Sequence, residues 1–151
     1  MTFNRRYAMI IHTKNTSEAL MKLTKTTQKL DNNICKALTI ACENSLHTID
    51  GFCWLTHRAN YTNFPASLIV TCVFETENDI EKMKANDLAK SLQQDIQKQL
   101  LKIGVIIKNV NQNIHFDSEE ACQKSHAGQW DKRLAINTSK QKPHNNKRRM
   151  H

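Results

Sequence analysis

Leu30, Ile34, Leu38, Ala41, Cys42, Ser45, Leu46 and Ile49 recur at three- and four-residue steps, the spacing that gathers side chains on one face of an α-helix. Lys36, Glu43, Asn44 and His47 fall on other faces. A helix with one broad dry face cannot stand alone in water and must bury that face against another element. Gly51 closes the pattern, because glycine takes the left-handed conformation at a helix C-terminus without steric cost.

The partner for that face lies immediately downstream. Phe52-Cys-Trp-Leu-Thr-His-Arg-Ala59 and Ser67-Leu-Ile-Val-Thr-Cys-Val-Phe-Glu75 are rich in β-branched and aromatic residues, and Asn60-Tyr-Thr-Asn-Phe-Pro65 between them carries turn formers. The two runs predict a β-hairpin, with Leu68, Val70, Cys72 and Phe74 on one face and Ile69, Thr71 and Val73 on the other. Thr76-Glu-Asn-Asp79 opens a second helical region, in which Leu88, Leu92, Ile96, Leu100 and Ile103 recur until Gly104 stops it. Val105-Ile-Ile107 and Asn113-Ile-His-Phe-Asp117 read as short strand pieces, and Ser118-Glu-Glu-Ala-Cys122 as the beginning of a short helix with Ser118 as its N-cap. The expectation is an α+β fold of order α-β-β-α-β: a small antiparallel or mixed sheet with two main helices on one face and basic flexible arms.

Charge divides the chain in the same places. Residues 31–130 hold nine Lys/Arg against twelve Asp/Glu, a net of −3, whereas residues 1–30 carry +5 and residues 131–151 carry +6, giving the overall +8. The reading is a basic, partly disordered N-terminal arm (1–29), a single α+β domain (30–130) and a basic C-terminal tail (131–151). Clustered basic ends are the footprint of a polyanion partner. No stretch approaches the roughly 18–20 apolar residues of a membrane helix. Five cysteines at no disulfide-framework spacing favour a reducing compartment, so a cytoplasmic location is expected.

Few constellations suggest chemistry. The chain lacks a Walker loop, a Gly-x-Gly-x-x-Gly loop and a Gly-x-Ser-x-Gly elbow, and three glycines in all leave little to cradle a phosphate. Cys122 and His126 are four apart with His115 upstream, but no Cys-x-x-Cys pair completes a zinc ligand set, so no metal and no cofactor are expected. The cysteines read as small buried hydrophobes. His57 is the only hairpin histidine that could act as base to a cysteine nucleophile, and nothing in the spacing supports that pairing. Asp117, Glu119, Glu120 and Lys124 resemble part of a magnesium-holding carboxylate cluster, yet a helix N-terminus accounts for the two glutamates more simply. The expectation is a protein without catalytic activity. In the hairpin loop, Trp54 is assigned to the core, while Arg58 and Tyr61 are expected to be exposed and free to stack on unpaired bases.

Two resemblances bear on function. The long first helix, the hairpin ending Leu68-Ile-Val-Thr-Cys-Val-Phe74, the second helical region and Val105-Ile-Ile-Lys-Asn-Val-Asn-Gln-Asn-Ile-His-Phe-Asp117 resemble the element order of a type II KH domain, ribosome-binding factor A in particular. The Gly-x-x-Gly clamp of nucleotide-binding KH domains is missing, as it is in ribosome-binding factor A. Asp50-Gly-Phe-Cys-Trp-Leu-Thr-His57, Tyr61-Thr-Asn-Phe-Pro-Ala-Ser-Leu68 and Phe116-Asp-Ser-Glu-Glu-Ala-Cys122 resemble a small bacterial family whose members are often labelled Fis-like transcriptional regulators. The first resemblance implies RNA or a ribosomal subunit as partner, and the label of the second implies DNA. The residues expected to bind nucleic acid are Lys22, Lys25, Lys29, Arg58, Tyr61, Lys140, Lys142, Lys147, Arg148 and Arg149. The alternatives are a DNA-binding regulator and a protein-interaction adaptor, with no membrane partner and no oligomeric state fixed.

Overall fold

A computed structural model describes residues 24–135. Helix α1 spans Lys25–Thr48 and starts at Thr24, whose side chain accepts from the Thr27 amide at 3.1 Å. Its apolar stripe is buried as the spacing requires: Ile34, Leu38, Ala41 and Cys42 are all inaccessible to solvent. Strand β1 (Phe52–Arg58) pairs antiparallel with β2 (Ile69–Phe74), and β2 pairs in parallel with β3 (Ile114–Ser118). The result is a mixed three-stranded sheet in the order β1-β2-β3.

The second helical region differs from its expectation. It is two helices, α2 (Glu77–Ala85) and α3 (Leu88–Lys102), separated at Asn86 and Asp87. Asp87 adopts φ 60°, a left-handed conformation that interrupts the helical ladder and that aspartate tolerates better than most residues. The start of α2 is a capping box: Thr76 accepts from the Asp79 amide, and Asp79 accepts from the Thr76 amide. Gly104 ends α3 as expected, with the Val105 amide reaching back to the Leu100 carbonyl at 2.9 Å. The segment Val105–Ile107 is not a strand. Val105 and Ile107 are buried as single side chains in an irregular stretch, and a one-turn helix α4 (Val110–Asn113) feeds directly into β3.

Both faces of the sheet are covered, which is why every residue of β2 is buried. Helix α1 packs across β1 and against α3, so the two long apolar stripes meet in one core that includes Leu55, Val70, Cys72, Phe74, Leu92, Ile96 and Leu100. The opposite face carries Trp54, Val73 and Asp117 and is closed by helix α5 (Glu119–His126) and a further helical segment at 130–135. Ser118 caps α5, its hydroxyl accepting from the Ala121 amide at 3.0 Å. Arg133 binds both carboxylate oxygens of Asp117, at 2.7 and 2.9 Å. Such a fork matches a carboxylate geometrically and fixes the segment's orientation.

These contacts move both expected domain boundaries. Lys25 and Lys29 belong to α1 rather than to an arm, because Thr24 caps the helix ahead of them. Residues 131–135 belong to the domain, because Arg133 is anchored on the sheet. The remainder of the predicted arms, including Lys22, Lys140, Lys142, Lys147, Arg148 and Arg149, lies outside the described residues. Among the described residues no helix is long and apolar enough to cross a membrane.

Candidate functional site

The loop between β1 and β2 is shaped by its own polar side chains. Ser67 accepts from the Asn60 amide at 2.9 Å and donates to the Asn60 carbonyl at 2.8 Å, closing the loop base. Asn113, just before β3, donates to the carbonyls of Ala66 and Leu68 at 3.2 and 2.7 Å and ties the loop to the sheet. Within that frame Tyr61 turns inward. Its ring lies 5.2 Å from that of Phe64, both pack on the core, and its hydroxyl donates to Oδ1 of Asp31 on α1.

Asp31 is the centre of a mixed polar group between α1 and β1. It is only 5 % exposed, and its Oδ1 also meets His57 Nε2 at 3.0 Å. His57 sits on the β1 face that looks towards α1 and is likewise buried. Cys35, one helical turn beyond Asp31, completes the group: a carboxylate oxygen of Asp31, Cys35 Sγ and a ring nitrogen of His57 lie within 4.8 Å of one another. Burial, with Asp31 adding to it, pushes the Cys35 thiol up to about 11. The same causes push the Tyr61 phenol upward, burial first and then its bond to Asp31. Both groups are therefore protonated at neutral pH, and Cys35 is not an activated nucleophile.

The structure thus brings together Cys35 and His57, a pairing that sequence spacing gave no reason to expect. Asp31 and Cys35 at i, i+4 were the only available clue, and both lie on a helix face that otherwise reads as core. The expected exposure of Tyr61 and Arg58 is corrected. Tyr61 is held by Asp31 and Phe64 because the loop folds back onto α1 rather than projecting from the hairpin. Arg58 is half-buried at the end of β1; burial lowers its pKa, and nearby Asp131 offsets this.

The other constellations resolve into structural contacts. Glu119 accepts from the indoles of Trp54 and Trp130, at 2.6 and 3.1 Å. Glu120 accepts from the Glu77 amide at the start of α2, and Asp117 pairs with Arg133. Cys122 is the buried residue of α5, His115 bonds the Gln112 carbonyl, and His126 lies beside Ser125 and Arg133. Among the described residues these three do not converge as a ligand group; Asp31, Cys35 and His57 do.

Of the expected nucleic-acid contacts, Lys25 and Lys29 are exposed on α1. Lys36 joins them: positions 25, 29 and 36 fall on one face of the helix, and all three side chains are exposed. The first turn of α1 holds no acidic residue, so these lysines begin at the end of a helix whose dipole disfavours positive charge. The described residues 24–135 contain thirteen Lys/Arg and thirteen Asp/Glu, and so carry no net charge. Residues 1–23 account for +3 and residues 136–151 for +5 of the total.

Comparison of the chain with protein-family models, curated proteins and solved structures yields no match.

Proposed function

We propose that the protein binds structured RNA, on a ribosomal subunit or its precursor, through basic flanks carried by a neutral α+β domain. The observation that supports this most is the charge partition: the whole positive excess of +8 lies in residues 1–23 and 136–151, with none in 24–135. A lysine stripe at positions 25, 29 and 36 extends the N-terminal flank along the exposed side of α1. Lysines that neutralise phosphates release condensed counterions, and this term supplies most sequence-independent affinity. RNA is preferred to duplex DNA because the order helix, strand, strand, helices, strand is the one that the KH resemblance implies.

The test uses the full chain with Lys140, Lys142, Lys147, Arg148 and Arg149 all replaced by glutamine. Binding to a structured RNA should weaken, and the slope of log K against log salt should become shallower by roughly 3–5, since each lost phosphate contact contributes about 0.7 on an unpaired strand and about 0.9 on a duplex. Equal loss on duplex DNA of the same length would favour the regulator reading. An unchanged RNA affinity and slope would refute the role of the C-terminal flank.

A further inference from the structure

We propose that Asp31, Cys35 and His57 form a binding site for a borderline-soft divalent metal ion, Zn²⁺ by preference, at the junction of α1 and β1. One carboxylate oxygen, one thiol sulfur and one imidazole nitrogen already lie within 4.8 Å of each other. Asp31 and Cys35 project from successive turns of one helix, and His57 faces them from a strand held by antiparallel pairing to β2. Two rigid elements therefore supply the donors, and their closure onto one ion needs side-chain adjustment rather than refolding. The mixture of sulfur, nitrogen and oxygen selects the class of ion: thiolate and imidazole suit zinc and its neighbours, whereas calcium and magnesium take oxygen donors.

An outer shell is present as well. The Tyr61 hydroxyl donates to Asp31, and the Tyr61 ring is fixed against Phe64, so the carboxylate is oriented by a partner that is itself packed. Ligating carboxylates are commonly steadied in this way. Cys35 is the only one of the five cysteines that is not fully buried, so it is the ligand of the group nearest to solvent. On binding, the S–H bond of Cys35 breaks, the sulfur–metal bond forms, and the proton passes to water. His57 ligates as neutral imidazole. Three protein ligands leave the fourth tetrahedral position to water or an exogenous group.

Cobalt(II) titration of the reduced full chain tests the site, because a thiolate bound to cobalt gives a sulfur-to-metal charge-transfer band that histidines elsewhere in the chain cannot produce. The wild type should show that band with intensity typical of tetrahedral cobalt, saturating at about one ion per chain, and zinc should displace it. Cys35→Ser should abolish the band, and Tyr61→Phe should weaken cobalt binding about 10- to 100-fold while keeping the spectrum. A second measurement needs no variant: zinc should protect Cys35, located by peptide mass spectrometry, from alkylation in the folded wild type. Absence of the band, its survival in Cys35→Ser, or failure of zinc to protect Cys35 would each overturn the proposal. These readouts are independent of RNA binding.

Discussion

Trp130 stands edge-on to Trp54, with ring centroids 5.0 Å apart and planes at 84°. Both indoles donate to the carboxylate of Glu119, one to each oxygen. This pair joins the last described helical segment to β1, across a gap of more than seventy residues in sequence. It covers the sheet face that α1 and α3 leave open. Trp130→Ala should therefore cost about 1–3 kcal/mol, through lost ring contact and exposure of the Trp54 face. Urea unfolding gives the magnitude. A stability unchanged within error would mean that segment 130–135 contributes nothing to the domain.

Gly51 makes a different kind of contact. It has φ +84°, and a Cβ placed on it would collide with the Asp79 side chain that caps α2. Gly51→Ala combines a strained left-handed backbone with displacement of a capping carboxylate. The expected loss is about 1–3 kcal/mol, with reduced α2 protection in hydrogen exchange. Asp79→Ala in the same background should cost less than it does alone, because the collision is then relieved and the cap already weakened.

Leu38 and Leu92, one from each apolar stripe, both lie in the core and are 0 % and 2 % exposed. Leu38→Ala and Leu92→Ala should each destabilise by about 2–5 kcal/mol, the range for emptying a packed core site. Thermal or urea unfolding measures it. A silent substitution at either position would contradict the packing of α1 on the sheet and on α3.

The stripes were legible because helical periodicity is a local signal, and Gly51, Gly104 and Ser118 marked the ends of elements by local chemistry. The break at Asp87 was hidden, since an aspartate in the left-handed region looks the same in sequence as one on a solvated helix face. Val105 and Ile107 looked like strand because β-branched runs suit a strand, yet each buries its side chain without a neighbouring strand to pair with. The polar group around Asp31 depends on contacts between residues 26 and 30 positions apart, from a helix, a strand and a loop. No spacing rule reports those. The position of Tyr61 is hidden for the same reason: a polar loop sequence says nothing of a buried carboxylate on a distant helix.

Tyr61 now has a prediction opposite to that of an exposed stacking ring. Tyr61→Phe should cost about 0.5–1.5 kcal/mol, since it removes one hydrogen bond to Asp31 and keeps the ring. Tyr61→Ala should cost more, because the packing on Phe64 goes as well. RNA affinity of the folded Tyr61→Phe protein should stay within twofold of wild type, about 0.4 kcal/mol or less. A large selective loss of RNA binding in this variant, with stability intact, would return Tyr61 to the nucleic-acid interface.

The lysines of α1 allow stability and binding to be separated. Lys25, Lys29 and Lys36 share an exposed face, and Lys25 sits in the first turn, where the helix dipole repels positive charge. Stability alone would favour acidic or neutral residues there. The triple replacement by glutamine in the full chain should therefore leave unfolding midpoints equal to wild type or slightly higher. RNA affinity should fall at the same time, and the salt slope should drop by roughly 2, at about 0.7 per lost phosphate contact. Arg58, half-buried beside Asp131, serves as the internal control: Arg58→Gln should lower stability more than it lowers RNA affinity. A triple variant that keeps its salt slope would confine RNA binding to the flanks, and one that loses stability would show that the stripe is structural.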